Sequence, residues 1–133
     1  MTIADLNEGE AIPELRITPD KYLPHRYAGA SGDFNPIHID NDFATAVGLP
    51  RNILHGLWTM AQVARAQTEA AGGDPRSLRR LSVQFRGMGV PEEEIVVSGT
   101  VTSRDGDRAI VATEAVQRGN GIVRNAESEL ELR

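Results

Sequence analysis

The chain contains no cysteine, which removes disulfides, a thiolate nucleophile and thiolate metal sites from consideration. It lacks any unbroken apolar stretch of about 18 residues, so no membrane-spanning helix is expected. The opening M-T-I-A-D-L-N-E-G-E has neither the basic start nor the apolar core of a secretory leader. Positive charge is also short: the formal net charge is −5, against the many cationic phosphate contacts that broad nucleic-acid binding needs. Lysine is almost missing, with Lys21 the single one among 14 basic residues; genome composition explains that bias as readily as anion recognition does. These absences fit a cytoplasmic protein with neither nucleic acid nor membrane as a partner.

What is present suffices for a packed domain. Of 133 residues, 40% are hydrophobic and 25% charged, ordinary values for a chain that buries a core. No repeat, low-complexity run or linker interrupts it, so residues 1–133 are expected to form one domain. Residues 11–17 (A-I-P-E-L-R-I) suit a first strand or extended lead-in. Thr18-Pro19-Asp20 reads as N-cap, first-position proline and first-turn acid, predicting a helix to about Ala30 that Pro24 would kink. Gly32 to Pro36 is turn chemistry. Asp40 or Asn41 then caps a short helix through Phe43, Ala44 and Val47, ended by Gly48.

From His55 to Ala71 no proline occurs, and Leu57, Met60, Ala61, Ala64 and Ala71 fall on one expected buried stripe. Gly72-Gly73 stops this helix. The remainder changes to a strand period: Leu81, Val83 and Phe85; Ile95, Val97 and Val101; Ile110, Ala112 and Val116; Ile122, Ala126, Leu130 and Leu132. Asp105-Gly106-Asp107 and Gly119-Asn120-Gly121 separate the last three sets as hairpin turns do. Helices followed by four antiparallel strands predict an α+β fold, with one long helix covering a sheet.

Chemistry concentrates in Y-A-G-A-S-G-D-F-N-P-I-H-I-D, Tyr27 to Asp40, and in His55-Gly56. Asp33 and His38 can jointly hold a water and move protons near neutral pH, and the bend at Asn35-Pro36 lets them meet. The alternative is a turn-capping Asp33 and a surface His38. Gly56 at a helix start would expose a bare amide where an oxyanion can approach, or would merely allow close helix–sheet packing. A metal site of Asp33, His38, Asp40 and His55 lacks H-x-x-x-H or H-E-x-x-H spacing, so no metal is expected. Ser31, Ser77 and Ser82 lack a G-x-S-x-G context. Arg76, Arg79, Arg80 and Arg86 form the one local basic feature; the first three precede the first sheet strand and could meet a phosphate or an acidic carrier protein, or be solvated or neutralised by Glu92, Glu93 and Glu94.

The D-x-N-P-x-H element, Ala44-x-x-x-Gly48, and then I-L-H-G-L-W-T-M from Ile53 to Met60 together resemble the MaoC-like (R)-specific enoyl hydratase/dehydratase family. Its short single-domain dehydratase β-subunits are the closest in pattern. The likeness is strongest over residues 22–64. It implies a hot-dog fold, an antiparallel sheet wrapped around a central helix from Gly56 to Ala71, and subunits that join their sheets edge to edge. It further implies that Asp33 and His38 are catalytic and that Gly56 donates its amide to the thioester carbonyl. Asn35, His55 and Trp58 are expected to contact substrate, with Trp58 narrowing the acyl tunnel. Some members carry a serine where this chain has Ala64.

The activity so implied is reversible hydration of trans-2-enoyl thioesters, carried on CoA or ACP, to (3R)-3-hydroxyacyl thioesters. No cofactor is required, because the thioester itself acidifies the C2 proton. Two other readings stand beside it. A hot-dog thioesterase would want a carboxylate near the helix start, where Glu69 is the sole acid between Gly56 and Ala71 and lies at the far end. A subunit of a heterodimer would need a related hot-dog partner, and the dyad would make this chain the catalytic member; a homodimer is the other expected assembly.

Overall fold

A computed structural model describes residues 6–132. The elements run β1 (Leu15–Ile17), α1 (Leu23–Ser31), α2 (Pro36–Ile39), α3 (Asn41–Ala46), α4 (Gly56–Ala70), β2 (Leu78–Phe85), β3 (Ile95–Asp105), β4 (Arg108–Gln117) and β5 (Asn120–Glu131). One antiparallel sheet in the order β1-β3-β4-β5-β2 curves around α4, which is the α+β hot-dog arrangement expected. The lead-in at residues 11–17 supplies β1 and an isolated bridge from Ala11 to Thr100.

Both sheet hairpins close through two residues. Asp105 pairs with Arg108 across Gly106 (φ 59), and Gln117 pairs with Asn120 across Arg118 (φ 54) and Gly119 (φ 76). Two positive φ values in succession make the second a type I′ turn, whose twist matches that of the strands. It lies one residue earlier than the Gly119-Asn120-Gly121 placement.

Several local expectations are corrected by tertiary partners. α1 begins at Leu23, five residues after Thr18, because Asp20 Oδ1 accepts the Tyr22 N–H at 2.8 Å and the Pro19 carbonyl is taken by the Glu92 amide. Pro24 therefore falls in the first turn, where no N–H is missed, and kinks nothing. The Arg26 guanidinium, hydrogen-bonded to Asp20, holds that exposed carboxyl below its ordinary range.

The face of α4 also differs. Trp58, Thr59, Val63, Ala66, Gln67 and Ala70 are buried, whereas Leu57 is 65% exposed and Ala61 faces solvent. Gln67 occupies the core because its Oε1 accepts the Ser128 hydroxyl at 2.9 Å. β4 shows the same effect: Ala109, Val111, Thr113, Ala115 and Gln117 point inward, one residue out of phase with Ile110, Ala112 and Val116. Thr113 Oγ1 donates to the Ser98 carbonyl at 2.7 Å, and Gln117 bonds both the amide and the carbonyl of Val90 at 2.8 Å. Their polar atoms are satisfied in the core, so burial carries no penalty. On β2, Phe85 is half exposed and turned toward Gly56, while Leu81 and Val83 pack against the core.

Candidate active site

The segment after α1 is built to bring an acid and an imidazole together. Gly32 (φ 81) ends α1 in the left-handed conformation, and its amide reaches the Ala28 carbonyl at 2.8 Å. Glycine takes that conformation at no steric cost. Asp33 Oδ1 accepts the Asn35 amide at 3.2 Å, and Asn35 Oδ1 accepts the Ile37 amide at 3.2 Å, capping α2 with Pro36 in its first turn. One turn of helix then carries His38 back toward Asp33, with His38 Nε2 lying 3.9 Å from Asp33 Oδ2.

That separation is too long for a direct hydrogen bond and right for two acceptors sharing one water, each at roughly 2.8 Å from its oxygen. The tautomer follows from the partners. His38 Nδ1 lies 2.8 Å from the Ile53 carbonyl, which can only accept, so Nδ1 carries the hydrogen and neutral His38 presents the Nε2 lone pair toward Asp33. The Asn52 amide group donates to the His38 carbonyl at 2.9 Å and holds the turn in place. His38 is buried, while the Asp33 side chain remains 54% exposed.

His55 lies behind this pair. Its ring stacks on His38 with centroids 3.9 Å apart and planes 22° from parallel, and Tyr27 tilts against it at 4.6 Å. His55 Nε2 donates to the Asp33 carbonyl at 3.0 Å, tying the acid's backbone to the start of α4. Its Nδ1 is buried without a partner among the described residues. Asp33, His38 and His55 bring ligand atoms within 4.8 Å of one another. Imidazole lone pairs lie in their ring planes, however, and two nearly parallel rings cannot both aim at an ion about 2 Å from each nitrogen. The cluster is suited to proton transfer.

Gly56 is the first residue of α4, and its N–H finds no acceptor among the described residues. It opens onto a cavity of about 170 Å³ lined by His38, Gly56, Thr59, Phe85, Met88 and Ile122, among others. A carbonyl oxygen on this amide would sit at the positive end of the helix dipole, beside the imidazole.

The remaining expected residues separate by place. Asn35 caps α2 and does not line the cavity, and His55 supports His38 from behind. Trp58 is turned away into the hydrophobic core, so it does not narrow the cavity. Ala64 is half-buried and Glu69 is exposed, bonded to Arg65 at 2.9 Å. At 13 residues beyond Gly56, Glu69 is about 20 Å along the helix, so α4 itself offers no carboxylate near its start. Thr59, Phe85, Met88 and the Gly87–Gly89 segment are lining that sequence reading did not find. Of the arginines, Arg76 pairs with Asp74 and Arg79 with Glu131. Glu92 pairs with Arg51 and Glu94 with Arg16, so neither neutralises the cluster.

The family model described as "MaoC like domain" matches residues 7–123. The enoyl-CoA hydratase ChsH3 of Mycobacterium tuberculosis is 33% identical over 119 residues, which is 86% of this chain and 40% of that relative's length. A solved MaoC-like dehydratase superposes with a TM-score of 0.92 at 28% identity, covering 99% of this chain and 42% of the other. A chain from the ChsH1–ChsH2 complex of Mycobacterium tuberculosis shares the fold, with a TM-score of 0.84 at 24% identity over 96% of this chain and 98% of the other.

Proposed function

Because the chain belongs to the MaoC-like domain family, we propose that it adds water reversibly to trans-2-enoyl thioesters, giving (3R)-3-hydroxyacyl thioesters. One observation carries this reading: His38 and Gly56, whose amide is unpartnered among the described residues, line the same small cavity, with the Asp33 carboxylate 3.9 Å from His38 Nε2. The thioester carbonyl docks on the Gly56 N–H. A water held between His38 Nε2 and Asp33 Oδ2 gives one proton to the pair as its oxygen bonds to C3. The Cα–Cβ π electrons move toward the carbonyl, and the Gly56 amide stabilises the enolate oxygen. The pair returns a proton to C2, so H and OH are both added and the enzyme is restored. Dehydration is the same path reversed. The thioester acidifies C2 without a metal or redox cofactor.

General acid–base groups typically contribute about 10²–10⁴-fold. Asp33→Asn and His38→Ala are each expected to cut kcat for hydration of crotonyl-CoA or a longer enoyl-CoA by at least about 10²-fold with the circular dichroism spectrum unchanged. Near-complete activity in either variant overturns the assignment. Chiral analysis of the product tests the (3R) outcome.

The same reading places the protein in the cytoplasm and gives it a hot-dog partner, either a copy of itself or a related subunit. Phe85 and Met88 line the cavity, and both are at least half exposed. An apolar rim of that kind around a reaction site is what a second subunit or an acyl chain would cover. Mass in solution and hydration by the purified chain alone decide whether the partner is a second copy.

A further inference from the structure

A second depression, of about 460 Å³, adjoins the cavity and shares Gly87, Met88 and Ile122 with it. Its lining includes Arg86, Arg118 and Arg124 and no acidic residue, in a chain whose net charge is −5. None of the three arginines has a carboxylate partner among the described residues. The Arg86 guanidinium donates to the neutral Gln84 Oε1, at 3.1 and 2.8 Å from Nε and Nη2. The acids of the nearby loop are engaged elsewhere, Glu92 with Arg51 and Glu94 with Arg16.

Two features of the backbone bear on Arg124 and Arg118. Arg124 lies over Gly121 so closely that a Cβ there would come 2.3 Å from its Nε and 2.9 Å from its Cγ. The missing side chain at Gly121 leaves room for the Arg124 side chain to lie across the strand in this rotamer. Arg118 occupies the first central position of the type I′ turn at φ 54, where asparagine or glycine fits without strain. An arginine kept in that conformation is locally unfavourable, which points to a role beyond the turn.

We propose that Arg86, Arg118 and Arg124 bind the phosphate-bearing end of the pantetheine arm of the thioester substrate. The inference rests on the hydratase reading for the arm's other end, at Gly56. Guanidinium groups suit phosphate oxygens because their donors form a fork. The shared chemistry is a pantetheine phosphate, supplied either by CoA, with its diphosphate and 3′-phosphate, or by a carrier protein's single phosphodiester.

The variant R118N/R124Q is compared with wild type on enoyl-CoA and on the phosphate-free enoyl-N-acetylcysteamine thioester. Two exposed ion contacts at roughly threefold each raise KM for enoyl-CoA about tenfold. The rate constant kcat/KM for the N-acetylcysteamine thioester stays at the wild-type value. Arg118→Asn alone raises Tm while weakening the CoA substrate, an opposition that a structural role does not produce. Calorimetric binding of CoA, 4′-phosphopantetheine and pantetheine needs no turnover and so decides the proposal independently of hydration. A variant defect shared equally by CoA and 4′-phosphopantetheine identifies a single phosphate as the contact; a defect confined to CoA identifies its distal phosphates. Equal loss on phosphate-bearing and phosphate-free compounds, or no loss on any, overturns the proposal. Absence of hydration on every thioester, with CoA binding still dependent on the arginines, overturns the hydratase reading and leaves the phosphate site standing.

Discussion

Gly56→Ala separates catalysis from stability more cleanly than removal of the acid or the base. The backbone of Gly56 is not in the positive-φ region, so alanine takes the same conformation without strain. Losing the conformational freedom of glycine in the unfolded chain stabilises by about 0.4–1 kcal/mol. Against this, the new Cβ would lie 3.2 Å from Phe85 Cε1 and 3.4 Å from Cδ1 and Cζ. Phe85 is half exposed, so its ring swings by a few tenths of an ångström at small cost, and the net change in stability is within about 1 kcal/mol. On the proposed mechanism activity responds differently, because the methyl group enters a cavity of only about 170 Å³ where the thioester carbonyl would dock on the amide. Displacement of a reacting group by about 1 Å costs on the order of 10²-fold. The expected result is therefore a Tm at or slightly above wild type with kcat/KM for enoyl-CoA hydration lowered about 10²-fold. Loss of the enoyl thioester absorbance follows the rate, and thermal unfolding follows the fold. The double variant with Phe85→Leu should recover part of the loss if the ring transmits it. A Gly56→Ala protein with the wild-type kcat/KM would refute the docking of a carbonyl on this amide.

His55→Phe keeps the stack on His38 and removes the hydrogen bond to the Asp33 carbonyl, so stability should fall by about 1 kcal/mol and kcat about tenfold, with KM little changed; wild-type kcat would show that this bond does not position the acid. His55→Ala also empties the space beneath His38 and should cost about 3 kcal/mol in chemical denaturation. Ser128→Ala leaves the fully buried Gln67 side chain without its hydrogen bond and should destabilise by about 1–3 kcal/mol, whereas Gln67→Leu combined with Ser128→Ala should be close to neutral. Equal stability of the Ser128→Ala single variant and wild type in urea titration would remove the buried pair as a reason for the orientation of α4.

Element boundaries were legible wherever glycine or a cap decides them locally. Gly56 opens α4, Gly72 and Gly73 (φ 90 and 86) close it, and Asp40 caps α3 through the Phe43 amide. Which face turns inward was less legible, because that is settled by partners distant in sequence. Thr113, Gln117 and Gln67 are polar and fall outside the apolar sets expected to be buried. Thr113 and Gln117 are buried because Ser98 and Val90 bond their polar atoms from 15 and 27 residues away, and Gln67 Oε1 accepts the Ser128 hydroxyl from 61 away, while its Nε2 has no partner among the described residues. A pattern of apolar positions has no access to such pairs, so it favoured Ile110 over Val111 and Leu57 over Val63.

The site divides along the same line, and the helix period decides two of its residues. The Asp33–His38 approach is local, since Asn35-Pro36 starts a turn that ends at His38. The His55 stack and the Phe85 and Ile122 walls come from three separate elements and leave no trace in spacing. Trp58 and Thr59 differ from both cases. At about 100° per residue, Trp58 is about 200° around α4 from Gly56 and Thr59 about 300°, only some 60° short of a full turn. The Cα side of Gly56 is turned toward Phe85 on the cavity wall, so the helix period puts Trp58 on the far side and Thr59 on the near side. The structure has this outcome: Trp58 is in the core and Thr59 lines the cavity. Adjacency to Gly56 in sequence was the weaker guide, and the angle around the helix was already contained in the residue numbers.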